Sequence, residues 1–392
     1  MKILAVQTHF RKIKKGKKEL TSMSSVDWWR VVNPMTNLKK LCPDWEIDIK
    51  DVVVDEDGNV DRQFQAIGAE YDIIFSSYID NPRGYAWLRA LSQRYDVPLI
   101  MDIDDNLFDV DENSPVYEEY HPGSMKLFYC STILRDVDYM TVSTGPLKFV
   151  YGHKRPDKHP IPEVIPNGID LYRYNHPRIK GLPKGRGKIK IGWWGGWTHY
   201  SDIEMVEPAI KRVLEKYPNV SFESVGMISD LFEGVERASQ RNGSATFSDW
   251  VRLWQGFQFD IAICPIRASE FNNGKSDIKW QEAAAARMPV VASDFGPYAR
   301  SIEHGKTGFL AGSEDQWVEY LSKLIEDEQL RIDIADAAYK VVSEEKAIQH
   351  VVGKYKDLFE RVVDAERPWN EPIDLTEYKT VEKPLTLGDL SV

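Results

Sequence analysis

The sequence predicts an α/β protein built of two parallel-sheet domains, and three observations carry that prediction. A length of 392 residues exceeds what one hydrophobic core supports, while 42% apolar and 11% aromatic content suffices for two. Short apolar runs alternate with helical patterns in both halves, an order that buries a parallel sheet between helices. Between residues 171 and 187 the chain turns rich in Pro, Gly, Arg and Lys, as a linker does. In the first half the predicted strands are residues 2–7, 45–54, 71–75, 98–102 and 139–142; in the second they are 188–193, 220–225, 259–264 and 290–292. Residues 315–326 and 328–342 read as further helices, and 344–363 as one long terminal helix. Both halves are therefore Rossmann-like. The expected boundaries are 1–170 for the first domain, 171–187 for the linker, 188–343 for the second domain, 344–366 for the terminal helix and 367–392 for an extended tail containing Pro368, Pro372 and Pro384. No internal repeat of solenoid period is visible.

Composition narrows the function classes. A net charge of −11 argues against whole-surface affinity for nucleic acid or membrane. Against that background one basic run stands out: Arg11, Lys12, Lys14, Lys15, Lys17 and Lys18 fall within eight positions, with Trp28, Trp29 and Arg30 shortly after. The three cysteines, Cys42, Cys130 and Cys264, are widely spaced, so neither a disulfide framework nor a zinc site is indicated. The opening MKILAV is too short an apolar run for a signal peptide, and no window approaches the ~18 apolar residues of a membrane span. The expectation is a cytoplasmic protein with no transmembrane segment, with peripheral attachment to a membrane left open.

Residues 271–310 are the most informative stretch. Asn272, Asn273 and Gly274 form a polar turn, Ser276 is a favoured N-cap, and residues 278–288 continue as an alanine-rich helix. Free N–H groups at Ser276 and Asp277 and the positive end of the helix dipole then face whatever lies in front, a ready place for a diphosphate. The dipole contributes only about 0.3 to 1 kcal/mol, so Lys275 and directed N–H bonds have to supply the rest. Glu282, about two turns further in, is placed to accept from the two hydroxyls of a ribose. The bland alternative is a surface helix followed by a core strand. A second glycine-rich turn follows residue 191, where Gly192, Gly195 and Gly196 let the backbone approach a ligand closely. For Trp193, and for Trp250 with Trp254 four residues on, core packing is the simpler reading.

Taken in order, IPNGID (165–170), IGWWGGWTHYSD (191–202), DIAICPI (260–266) and the 271–310 segment resemble the retaining, nucleotide-sugar-dependent glycosyltransferases of family 4. That resemblance covers nearly the whole chain and implies the GT-B fold, two Rossmann-like domains facing each other across a cleft, with a C-terminal helix crossing back to the N-terminal domain. It implies a hexosyl- or pentosyltransferase, needing no cofactor beyond its co-substrate, a nucleotide-diphosphate sugar, with a UDP-sugar the expected donor. The first domain would be the acceptor side and the second the donor side. The donor residues carried over are Lys275, Ser276, Lys279 and Glu282, with Gly195, Gly196 and His199 at the glycine-rich turn. His199 either touches ligand or braces the turn, and Asp202 caps the helix that follows. The family usually places two glutamates at the donor helix with seven residues between them. Here Glu282 is the second and Gly274 stands at the first, which leaves the sugar open and admits a catalytically silent nucleotide-sugar-binding partner subunit as an alternative. Relatives also place an arginine and a lysine near the glycine-rich turn, where this chain has Trp193, Trp194 and Trp197.

The motif MDIDDN (101–106) ends the fourth predicted strand. Asp102 and Asp104 alternate with Ile103, so one of them faces the cleft as an acceptor contact, or both serve local structure, or they bind a metal. No metal is expected, because GT-B enzymes generally use basic residues and a helix dipole instead. Lys275, Asp102 and Asp104 are accordingly the candidate catalytic residues, and Ser143 lines the same cleft. The basic run gives the acceptor-side candidates Lys14, Lys15, Trp28 and Arg30. A solvated loop, a polyanionic glycan or lipid-linked saccharide, and DNA carrying a hydroxymethylated base are the readings it leaves open.

Overall fold

A computed structural model describes residues 1–8, 10–15, 18–51, 71–112, 114, 116–155, 160–176, 187–226, 230–244 and 246–365. In the first domain β1 (Lys2–Gln7), β4 (Glu46–Asp51), β5 (Ile73–Ser77), β6 (Leu99–Ile103), β7 (Tyr139–Val142) and β8 (Glu163–Val164) form a parallel sheet in the order β4-β1-β5-β6-β7-β8. Between β1 and β4 the antiparallel pair β2 (Phe10–Lys15) and β3 (Lys18–Met23) stands apart from that sheet. In the second domain β9 (Ile189–Trp194), β10 (Val220–Gly226), β11 (Ala238–Asn242), β12 (Ile261–Cys264), β13 (Val290–Ser293) and β14 (Phe309–Ala311) form a second parallel sheet, ordered β11-β10-β9-β12-β13-β14.

Burial explains the sheets. Along β1, Ile3 and Ala5 enter one core while Leu4 and Val6 enter another, as period-two side chains must when both faces are covered. Helices Asn33–Leu41 and Ile348–Val363 cover one face of the first sheet, so the terminal helix does cross back to the first domain. Its Tyr355 and Phe359 pack edge-on against Phe75 of β5. One continuous helix over 344–363 is not what forms, however. A π-helical turn, Val342–Lys346, is followed by Ala347 in extended conformation, and the helix restarts at Ile348. At this break the two crossing segments pair: Ile169 N–H donates to the Lys346 carbonyl (3.1 Å) and Ile348 N–H to that of Ile169 (2.8 Å). A Cβ on Gly168 would come within 3.0 Å of the Ile348 backbone, so the IPNGID glycine allows this close crossing.

Five strands escaped the sequence reading: the β2–β3 pair, which carries most of the basic run, and three strands of the parallel sheets. β8 has two residues, β14 three, and β11 (ASQRN) is a polar edge strand without an apolar run. Residues 52–54 of the predicted 45–54 strand, most of the linker (177–186) and the tail from 366 lie outside the described residues. Among the described residues no helix is long and apolar enough to cross a membrane.

Candidate functional site

The carboxyl ends of both sheets open onto one cleft of about 480 Å³, where parallel α/β sheets bind ligands. The second domain supplies Trp194, Gly195, Gly196, His199, Gly226, Lys275, Ser276, Lys279 and Glu282; the first supplies Trp29, Asp104 and Asp105.

The glycines divide by role. Gly195 donates its N–H to the Val225 carbonyl at 3.0 Å. A Cβ on it would lie 2.6 Å from the Trp193 ring, and one on Gly226 (φ +108°) only 2.4 Å from the Gly195 carbonyl oxygen. Gly196 faces open space. Gly192 is different: the Phe259 ring fills its Cβ position, so it serves core packing rather than ligand approach. Trp193 is wholly buried, as the core reading had it.

The donor helix runs Ile278–Ala285, and its first intrahelical bond goes from the Gln281 N–H to the Asp277 carbonyl (3.0 Å). Asp277, not Ser276, is therefore the N-cap residue, and its side chain makes no capping bond. The Asp277 carboxylate is instead held by Lys346 (2.7 Å) and Gln281 (2.8 Å). Burial would raise its pKa, but Lys346 and these hydrogen bonds outweigh burial and lower it. Only its backbone N–H remains a candidate for an anion. Ser276 Oγ accepts from Asn167 Nδ2 of the IPNGID segment at 2.9 Å.

Two lysines face the cleft from this helix start. Lys275 Nζ lies 3.3 Å from Asp105 Oδ1 of the opposite domain and over the Phe271 ring. Lys279 Nζ is 2.9 Å from His199 Nε2, and His199 Nδ1 is 2.7 Å from Asp202 Oδ2. Burial, reinforced by Lys279, pushes the His199 pKa down to about 4. The ring is therefore neutral near pH 7: Nδ1–H donates to Asp202 and Nε2 accepts from the Lys279 ammonium. Burial also lowers the Lys279 pKa, with Asp202 and Glu282 acting against it.

Glu282 is only 4% exposed and is not a free acceptor. Trp194 Nε1–H donates to Oε2 (2.7 Å) and the Tyr174 hydroxyl to Oε1 (3.1 Å). Burial raises its pKa while these two donors pull it down. Trp250, which also lines the cleft, acts on the carboxylate as a further side-chain donor; a carboxylate has about four acceptor sites, so room for a ligand hydroxyl remains compatible with the geometry.

On the first domain the structure separates the two aspartates. Asp102 is 1% exposed and takes a bidentate ion pair from Arg30, with both bonds at 2.7 Å. Thr141 Oγ1 donates to it as well, and Arg30 continues to the Ile165 carbonyl (2.8 Å) and Asn167 Oδ1 (3.0 Å). Burial would lower the Arg30 pKa, but the adjacent Asp102 raises it. Arg30 and Asp102 thus lie beneath the cleft as a structural pair, and neither faces an acceptor. Asp104 does line the cleft, accepts from Asn167 Nδ2 at 3.2 Å, and is pushed by burial to a pKa of about 6. Ser143 is buried behind it rather than lining the cleft. Trp28 is turned away too: it stacks on Phe247 of the second domain at 4.6 Å, under the Arg173 guanidinium, and is buried in a core formed mostly by that domain. Trp29 lines the cleft in its place. The backbone of Lys14 and Lys15 lies in β2, while their side chains fall outside the described residues.

Gly274 now has a physical explanation. A Cβ there would meet Leu147 Cδ2 at 2.8 Å and Asn106 Cβ at 3.2 Å, both on the first domain. Thr144 Oγ1 donates to its carbonyl at 2.7 Å. The first domain crowds the point from which a glutamate side chain would start. Asn167, Tyr174, Trp194 and Asp105 carry contacts the sequence reading assigned to none of them. A signal existed for three: Asn167 sits in IPNGID, Trp194 in the glycine-rich turn and Asp105 in MDIDDN.

Two facing parallel-sheet domains, a cleft between their carboxyl ends and a terminal helix returning to the first domain define the GT-B architecture of glycosyltransferases. Within it, residues 278–341 match the family described as glycosyl transferases group 1. The lipopolysaccharide core biosynthesis mannosyltransferase LpcC of Rhizobium leguminosarum bv. viciae is 27% identical over 205 residues, 48% of this chain and 54% of that protein. The chain thus spans about half the length of this curated relative. Among solved structures, Anabaena HepE in complex with UDP-glucose superposes with a TM-score of 0.61 at 16% identity, covering 92% of this chain and 100% of HepE. Sucrose-phosphate synthase from Thermosynechococcus elongatus gives a TM-score of 0.63 at 14% identity, covering 93% and 100%. At such identities the likeness is one of fold.

Proposed function

We propose that the chain is a glycosyltransferase that moves a sugar from a nucleotide-diphosphate donor, a UDP-sugar, to an acceptor hydroxyl with retention and without a divalent ion. One observation carries the reading: Lys275, Lys279 and the start of helix Ile278–Ala285 converge on one wall of the cleft, opposite Asp104. Negative charge growing on a departing diphosphate is stabilised by fixed cations and N–H groups that need no reorganisation. Lys275 and Lys279 flank the leaving group, the N–H groups of Ser276 and Asp277 bind it, and Glu282 accepts from the ribose. Asp104 orients the acceptor hydroxyl, while the buried Arg30–Asp102 pair holds the loop that carries it. The match of residues 278–341 and the UDP-glucose bound by a protein of the same fold support the donor class. The basic run around Lys14 and Lys15 supports a polyanionic acceptor. Titration calorimetry of the purified chain against a panel of nucleotide sugars tests the reading; absence of binding to every member would refute it. One observation favours a second reading, a silent nucleotide-sugar-binding subunit: Gly274 stands where the family has its first glutamate, and the first domain crowds its Cβ position. Donor hydrolysis in the same panel separates the two.

A further inference from the structure

The two cleft lysines are held in opposite ways. Lys275 has a carboxylate partner, Asp105, whereas among the described residues Lys279 makes no ion pair and its hydrogen-bond partner is the neutral His199 ring. A half-buried ammonium whose hydrogen-bond partner is neutral has no direct ion pair to give up when an anion arrives. The ring is itself fixed from behind, because Asp202 is 2% exposed and its second oxygen accepts the Arg267 N–H at 2.8 Å. We infer that Asp202 and His199 are positioning residues that set the Lys279 ammonium towards the diphosphate of the donor, with His199 Nε2 as the acceptor that aims it. The arrangement also accounts for the tryptophan-rich turn: Trp193, Trp194 and Trp197 bring no cation, and His199, at the end of the same turn, draws one in from the neighbouring helix.

This inference rests on the donor reading above and adds a role that a turn-bracing histidine would not have. Two near-isosteric substitutions in the full chain separate these roles. In His199→Gln the side-chain oxygen reaches the Nε2 position and accepts from Lys279, but the bond to Asp202 is lost. In His199→Asn the amide takes the Nδ1 position and keeps the bond to Asp202, but Lys279 loses its acceptor. Calorimetry with UDP and with uridine reads the outcome, alongside ring ¹⁵N NMR, where His199 is assigned among the eight histidines by its loss in H199Q. We expect a neutral Nδ1–H tautomer, UDP affinity within a few-fold of the unmodified chain for H199Q, and a loss of about tenfold for H199N. Uridine binding should be equal in all three. UDP affinity intact in H199N but lost in H199Q, or an Nε2–H tautomer, would overturn the inference and return His199 to bracing the turn. If the unmodified chain bound no nucleoside diphosphate while keeping the Nδ1–H tautomer, the donor reading itself would fall, and this inference with it.

Discussion

Replacing Glu282 with Ala is the perturbation whose outcome is most closely fixed by the geometry. Two buried donors, Trp194 Nε1–H and the Tyr174 hydroxyl, end on its two oxygens, and both partners are at most 2% exposed. Removing the carboxylate leaves each donor unpaired, and an unsatisfied buried donor costs about 1–3 kcal/mol. Water entering from the cleft returns part of this, so a stability loss of about 2–4 kcal/mol is expected. Each kcal/mol shifts the melting temperature of a domain of 150–250 residues by about 2–4 °C, which gives a fall of roughly 4–16 °C. Donor affinity should fall as well, by about 2–4 kcal/mol, if the carboxylate also accepts from the ribose. Glu282→Gln keeps the shape but offers an amide N–H to one of the two donors, so its stability should lie between the other two. Calorimetric scanning and donor titration, run well below the melting transition, read both quantities. An unchanged melting temperature would refute the hydrogen-bond account of this site; a large fall with unchanged donor affinity would make Glu282 purely structural.

Asp104 gives a pH prediction. Its folded pKa, about 6, lies above the usual carboxylate value, so between roughly pH 4 and 6 the native state binds more protons than the unfolded state and stability falls as pH rises. If its carboxylate orients the acceptor, transfer should instead drop on acidification through about pH 6, and Asp104→Asn should abolish that limb; an identical limb in the variant would exclude Asp104. Gly274→Glu should not restore a sugar contact but should lower stability by about 1–3 kcal/mol through overpacking against Leu147 and Asn106. The double variant with Leu147→Ala should lose less stability than the sum of the two separate losses, and strict additivity of melting shifts would show that the residues do not meet.

Much of the architecture was legible because long-range order in a parallel sheet leaves a local trace. Strands such as β1, β12 and β13 carry runs of three or four apolar residues, and Pro and Gly mark the linker between domains in the sequence. The donor helix was legible for the same reason, to within one residue at its start. What stayed hidden depends on partners distant in sequence. Ser276 reads as an N-cap, yet Asn167 occupies its oxygen and the cap shifts to Asp277. Arg30 reads as part of a basic acceptor patch, and Asp102 as a site carboxylate. Each is explained only by the other, 72 positions away. Gly274 reads as a missing glutamate until Leu147 of the opposite domain appears beside it.

The most direct test of the central claim is cleavage of a nucleotide sugar by the purified full chain in EDTA, compared with the Lys275→Ala and Lys279→Ala variants. Fixed cations and N–H groups at the donor helix predict that one nucleotide sugar of the panel is turned over with only a small loss on chelation, and that either substitution lowers the rate by about tenfold or more. Complete loss in EDTA that added divalent ion restores, or turnover indifferent to both lysines, would contradict it.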